Sequence, residues 1–401
     1  MAAQRYGFID WYRGLACVLM IQTHAYDAWT AEPYREGFFF WLVRPQLGGF
    51  PARMFLLLAG VSLAMRYASD LRRGVPEWTA RKGGVKRGLE VFLIGYLFRI
   101  FEWGLSGFRM KYVDGVFKVD VLQCIGLSLM ISALLTGPRH LLPRRFPWLA
   151  ALSTAAVVLG TAALQRLSVP AWLPGGLAGY LWPGAHAQAA FPILPWLSYT
   201  LTGTIVGLCW MRAIAADKER EQQQAGSGGS ALTRAMWISF AVGLVLAVFG
   251  QWAQRIDIPL YRTSHNPLIA TPVSYFYRLG MCLVGAALAY AYERRFPLSE
   301  RSPLKLMGQA SLTVYVVHVE LVYGIASYPI KRRLDLPMAT VLWVLLTAGM
   351  VYVAWWRLHR YRWRLPWPLG PGRDERKPAP PRSPSPLPPS PSPPPSVAAD
   401  A

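Results

Sequence analysis

Apolar residues run along this chain in blocks of about twenty, separated by short stretches dense in Arg, Lys, Gly and Pro. A block of that length crosses the hydrocarbon core of a bilayer as a helix, so each predicts a span. Ten blocks stand out, at approximately 8–29, 48–68, 88–107, 119–137, 148–166, 190–211, 235–253, 271–292, 306–328 and 338–357. The expected fold is an all-α polytopic membrane protein, a bundle of about ten transmembrane helices. Between the sixth and seventh blocks, the stretch 212–234 contains EQQQAGSGGS, too polar and Gly-rich to pack, and reads as a flexible loop. Beyond Lys377 the sequence holds 11 Pro among residues 378–395 and has few apolar groups to bury. The expected organisation is a membrane domain over 1–360 and a disordered Pro-rich cytoplasmic tail over 361–401.

Composition supports the membrane reading. Of 401 residues, 53% are hydrophobic and only 16% charged, which suits a polytopic protein better than a soluble enzyme. A net charge of +21 would point to nucleic acid in a soluble protein, but basic residues also collect in the cytoplasmic loops of membrane proteins. With the N-terminus inside, 27 of the 42 Lys and Arg fall in inner segments and 12 in outer ones, while Arg13, Arg99 and Arg278 lie within spans. Both termini are therefore expected in the cytoplasm, with the chain multi-pass in the cell's inner membrane. Its partner is then the lipid bilayer and not nucleic acid. The triplet Lys331, Arg332, Arg333 argues locally for the opposite orientation. Four cysteines without CxxC spacing suggest neither a metal nor a disulfide framework. The first block is not expected to be a cleaved signal peptide, because Asp10 and Arg13 interrupt its start and His24 stands where a cleavage site would be.

That first block is also where the chemistry concentrates. It carries Asp10, Arg13, His24 and Asp27, and ionisable groups at membrane depth are costly enough to be kept mainly for a task. Eleven residues of helix bring Arg13 and His24 within roughly 20° of one face and about 16 Å apart along it. His24 is suited to general-base work, with Asp27 three residues on as an orienting neighbour. The competing reading is an interfacial polar pair that anchors the helix end. Arg13 suits a clamp for carbonyl or phosphate, although Asp10 also sits where the two would simply neutralise one another. Farther along, Arg99 and Glu102 read as an ion pair or the wall of a polar cavity, which Arg278 would share. His318, within SLTVYVVHVELVYG, is either a buried hydrogen-bonded histidine or a second catalytic or acceptor-binding group. His265 lies in an outer loop. The residues alone leave acyl transfer, proton-coupled transport or flipping, and a haem site between His24 and His318 as readings from different classes.

The string RYGFIDWYRGLACVLMIQTH (Arg5 to His24) resembles the opening signature of transmembrane acyltransferases, and most closely bacterial relatives of the heparan-alpha-glucosaminide N-acetyltransferase catalytic domain. GGFPARMFLLLAGVSLAMR, DVLQCIGLSLM, FPILPWLSYTLTGTIVG and MGQASLTVYVVHVELVY resemble later helices of that family in the same order, so the likeness spans most of residues 5–328. The resemblance implies a helical bundle that takes an acyl group from a cytoplasmic donor, acyl-CoA, as co-substrate with no bound cofactor. It would pass that group to an amine or hydroxyl of an extracytoplasmic glycan or lipid-linked acceptor. His24 and Asp27 would be catalytic, Arg13 and Asp10 would bind the donor, and His318 and Arg278 would support the acceptor. A homodimer is compatible with this reading. His24 also matches the motif histidine of membrane O-acyltransferases. The eukaryotic glucosaminide acetyltransferase differs, with Asn at that place and its histidine in the following luminal loop. Here Ala25 to Leu47 holds no histidine, so the acceptor stays open.

Overall fold

The computed structural model describes residues 6–105, 107–135, 146–164, 167–182, 191–222, 230–256, 272–297 and 299–360. Among these the regular structure is helical, apart from one isolated bridge between Thr30 and Leu334. The helices are α1 (Gly7–Trp29), α2 (Gly37–Trp41), α3 (Pro51–Arg72), α4 (Glu77–Leu105), α5 (Val121–Leu135), α6 (Phe146–Leu164), α7 (Gly175–Leu181), α8 (Ile193–Gln222), α9 (Ala231–Ala253), α10 (Pro272–Arg295), α11 (Pro303–Gln309), α12 (Ser311–Tyr323) and α13 (Leu336–His359).

Among the described residues, six segments are long and apolar enough to cross a bilayer, those containing α3, α5, α8, α9, α10 and α13. The chain is therefore a multi-pass membrane protein. The remaining four apolar blocks also fold as helices, but each falls short of that measure for its own reason. In α1 and α4 charged side chains interrupt the apolar run. In α6 the described side chains form the shorter apolar stretch Ala151–Thr161. The ninth block is not one helix, because it breaks at Ala310 into the short α11 and the 13-residue α12. The break lets α11 lie flat on α1: Gly14 and Gly308 face each other's backbones so closely that a Cβ on either would overlap a carbonyl of the other helix.

The loop expected over 212–234 is shorter than its sequence suggests. Helix α8 continues to Gln222, and α9 begins at Ala231 behind an N-cap at Ser230. Asp217 accepts from the backbone N–H groups of Ala231 and Leu232 at 2.5 and 3.0 Å, so the end of α8 satisfies the free donors at the start of α9. The central residues 223–229 and the Pro-rich tail lie outside the described residues.

Helix α1 lies at the centre and packs against α3, α10, α11, α12 and α13. By contrast, α9 and α13 present rows of exposed Val, Leu and Trp, as lipid-facing helices do. The last carbonyls of α1 receive backbone N–H groups from the basic triplet: Arg332 donates to Ala28, and Arg333 and Leu334 to Trp29. Arg332 also pairs with Glu32 at 2.7 Å. The triplet that broke the charge pattern thus closes the C-terminal end of α1, where cations are favoured by the helix dipole.

Candidate functional site

The two ends of α1 open into separate polar clusters. Toward its N-terminus, Arg13 Nη1 meets Asp10 Oδ1 at 3.3 Å and Nη2 donates to Ser62 Oγ of α3 at 2.8 Å. This is a tie between helices, one turn of α1 folded onto itself and then onto a neighbour. It lies well away from His24, so the structure does not gather the proposed donor-binding residues and the transfer base into one cluster.

At the other end, His24 meets His318 of α12. His24 Nδ1 and His318 Nε2 are 3.0 Å apart, with ring planes 10° from parallel. His318 is fully buried, and its Nδ1 lies 2.8 Å from the Val314 carbonyl. A carbonyl only accepts, so His318 Nδ1 carries a hydrogen and, in the neutral ring, Nε2 is the acceptor. His24 Nδ1 must then donate to it, which leaves the lone pair of His24 on Nε2. The backbone of α12 thereby fixes the tautomer of a partly exposed base on α1. Nitrogens 3.0 Å apart are in direct hydrogen-bond contact, with no gap between the rings.

Asp27 does not orient His24, contrary to the expectation from their spacing. Its carboxylate accepts from Arg44 Nε at 2.9 Å and from the Tyr323 hydroxyl at 3.3 Å, and lies 3.6 Å from Arg35 Nη2. An i, i+3 offset turns Asp27 about 60° away from His24 around α1, toward the loop arginines, whose charge competes better for a carboxylate than a neutral ring does. The link that remains is indirect, because the Tyr323 ring also stands edge-on to His24 at 5.4 Å.

A third group flanks His318. Asp120, at the start of α5, is held by Arg99, by its own Val121 N–H at 2.8 Å and by the Tyr315 hydroxyl at 3.2 Å, while Arg99 also bonds Glu102. The Tyr315 ring is edge-on to His318 at 5.7 Å. Arg99 and Arg278 do not share a cavity wall as expected: Arg99 joins this carboxylate group, whereas Arg278 donates to the Gln46 carbonyl at 2.6 Å and covers the Phe50 ring. His265 lies outside the described residues.

The heparan-alpha-glucosaminide N-acetyltransferase catalytic domain, as a family model, matches residues 5–236, more than half of the chain. The chain belongs to this family. Its family activity is therefore transmembrane acetyl transfer, and the match covers α1 through α8 together with the start of α9. Asp10, Arg13, His24, Asp27, Arg99 and Asp120 fall within the match, while Arg278, Tyr315, His318 and Tyr323 lie beyond it. Half of the histidine pair is thus contributed by a part of the heparan-alpha-glucosaminide N-acetyltransferase-like chain that the family match does not reach. A comparison with curated proteins gave no match.

Sequence reasoning passed over Asp120, Tyr315, Tyr323, Arg44 and Arg35. Two of these carried a usable signal, since Tyr315 and Tyr323 flank His318 on the same short helix and Asp120 is an acid at the mouth of an otherwise apolar block.

Proposed function

We propose that this protein transfers an acetyl or other short acyl group from a cytoplasmic acyl-CoA to an amine or hydroxyl of an extracytoplasmic glycan or lipid-linked acceptor. It would act in the cell's inner membrane as a bundle of ten spans with both termini inside. The observation that carries the reading is the His24–His318 pair, which leaves a basic lone pair on His24 Nε2 at the end of the helix that bears the family signature. In this scheme the acceptor's nitrogen or oxygen attacks the thioester carbonyl while His24 Nε2 takes the acceptor's proton. The new C–N or C–O bond forms, the C–S bond breaks, and the proton passes from His24 to the departing thiolate. Arg13 grips the donor near the cytoplasmic mouth, with Asp10 holding it. The roughly 16 Å rise from Arg13 to His24 is one that an extended pantetheine arm bridges.

Purified protein incubated with radiolabelled acetyl-CoA and envelope glycan extract is expected to yield labelled acceptor, and His24→Ala protein of normal thermal stability is expected not to. A transporter or flippase would move its substrate unaltered. Mass spectrometry of envelope glycans and lipids from deletion and wild-type cells would then show no acyl difference, which would overturn the proposal.

A further inference from the structure

Helices α9 and α10 form an antiparallel pair that touches backbone to backbone around Gly243 and Gly280. A Cβ on Gly243 would come within 2.8 Å of the Gly280 carbonyl, and a Cβ on Gly280 would overlap the Gly243 carbonyl. Toward the start of α9 and the end of α10 the contact passes to side chains, where Thr233 and Tyr290 share a hydrogen bond of 2.8 Å. There the two helices leave a cavity of about 280 Å³.

This cavity has two unlike parts. Arg294 and Arg295, in the last turn of α10, line its helix-end side, while Met236 and Phe240 of α9 and Ala287 and Leu288 of α10 line the rest. Both helices are long and apolar enough to span a bilayer, and the rise from Ala287 to Arg295 is about 12 Å. The cavity therefore runs from headgroup level into the hydrocarbon layer. Trp237, which also lines it and is 60% exposed, stands near the start of α9, where an aromatic ring meets the membrane interface.

The positive charge at the polar end is not answered from within the protein. Among the described residues neither Arg294 nor Arg295 is in an ion pair, and Arg295 covers only the Phe296 ring. Glu293, the acid next to them in sequence, turns to α1 and accepts from the Phe8 N–H at 2.8 Å. Arginines at a helix end snorkel to the headgroups without any built site. Here, however, two cations and an apolar slot line one cavity, which matches a ligand that joins a phosphate to a hydrocarbon chain.

We infer that the α9–α10 cavity binds an anionic glycerophospholipid of the surrounding bilayer. Arg294 and Arg295 hold its phosphate, and the start of an acyl chain lies along Met236, Phe240, Ala287 and Leu288. The site is at the Arg13 end of α1, since Phe8 packs edge-on against Tyr290 at 5.4 Å. Sixteen residues of helix, about 24 Å, separate Phe8 from His24, so the bound lipid is a stabilising partner and not the acceptor.

The test is native mass spectrometry and thermal unfolding of the detergent-purified full chain, titrated with dioleoylphosphatidylglycerol or dioleoylphosphatidylcholine. The two share their acyl chains and differ in net charge. Phosphatidylglycerol is expected to remain bound and raise Tm, with phosphatidylcholine about fivefold weaker or more. The half-saturating concentration is expected to rise about fivefold in Arg294→Gln and in Arg295→Gln. Ala291→Trp, which fills the cavity from an exposed position and removes no charge, is expected to weaken binding as well, and it carries the test if an arginine variant does not fold. The double variant Arg234→Gln, Arg301→Gln removes two exposed cations outside the cavity and is expected to keep the full response. Equal binding of the two lipids, an equal loss in that double variant, or undiminished binding in the folded Arg294, Arg295 and Ala291 variants would overturn the proposal. So would an equal shift with inorganic phosphate or with coenzyme A, which would assign the site to a free anion or to the donor. A lipid-free dimer that Ala291→Trp splits would assign the face to a second copy and overturn it too.

Discussion

Both ends of α1 carry a basic residue and an acid three positions apart, yet the two pairs fold in opposite ways. Asp10 and Arg13 close on each other, with Ser62 as an added partner. His24 and Asp27 stay apart, His24 going to α12 and Asp27 to Arg44, Arg35 and Tyr323. Side-chain reach explains the difference. The long arginine stem folds back along the helix to its own acid, whereas the short imidazole stays where its Cβ places it and takes what the neighbouring helix offers. The first pair therefore neutralises charge, while the second leaves a lone pair available.

The sharpest way to break this comparison is to remove the open member. His24→Ala is expected to lower acyl transfer by about 10³-fold, or roughly 4 kcal/mol of transition-state stabilisation, as befits loss of a general base. Donor-dependent transfer measured alongside the unfolding temperature checks this. Undiminished transfer would reduce His24 to a structural residue.

At the closed end the largest effect should fall on stability. Arg13→Ala leaves the Asp10 carboxylate, 8% exposed and already with one unpartnered oxygen, as an isolated charge among packed helices. A loss of about 2–4 kcal/mol is expected, with a large part restored in the double variant Asp10→Asn, Arg13→Ala. Thermal unfolding of the two singles and the double decides it. Additive losses in the double variant would show that the pair is not coupled.

How much of this was legible in the chain follows from the same contrast. The length of the apolar runs located the blocks, and local pairing such as Asp10 with Arg13 can be read from spacing, because both partners ride on one helix. The break at Ala310 was not legible, since it depends on α11 lying flat against Gly14. Nor was the partner of His24, which is 294 residues away and meets it only because α1 and α12 pack together. His318 was singled out as a candidate; its hydrogen bond to His24 belongs to the tertiary structure. Asp27 shows the converse hazard, a neighbour in spacing whose real partners come from the loop that follows and from α12.

The pair itself is sharpened by changing its buried member. In His318→Gln the amide oxygen still accepts from His24 Nδ1, but the ring that fixed its position is gone, so a fall of about ten- to one-hundredfold in kcat is expected. His318→Leu, which offers no acceptor, should fall further. A positioning role predicts that KM for the acceptor changes little in His318→Gln, while a direct role in acceptor binding predicts that KM rises with the loss of kcat. Equal activity in the Gln and Leu variants would show that the tautomer of His24 is set by something else.

The smallest effect is expected at Asp27, and it discriminates most cleanly between spacing and geometry. Were Asp27 the orienting partner of His24, replacing it with Asn would impose the wrong tautomer on the imidazole, a change that costs on the order of 10⁴-fold where a carboxylate holds a catalytic histidine. In this structure His318 holds that tautomer, and Asp27 belongs to a partly exposed ion pair in which its side chain is 32% and that of Arg44 is 48% exposed. Such pairs contribute at most about 1 kcal/mol, so Asp27→Asn should lower transfer less than about fivefold, through a looser Tyr323 and Arg44. Steady-state kinetics on this one variant therefore separates the two accounts by several orders of magnitude. A loss near 10⁴-fold would return Asp27 to the side of His24, and a small loss would leave the base held across the bundle, by a helix that local spacing does not reveal.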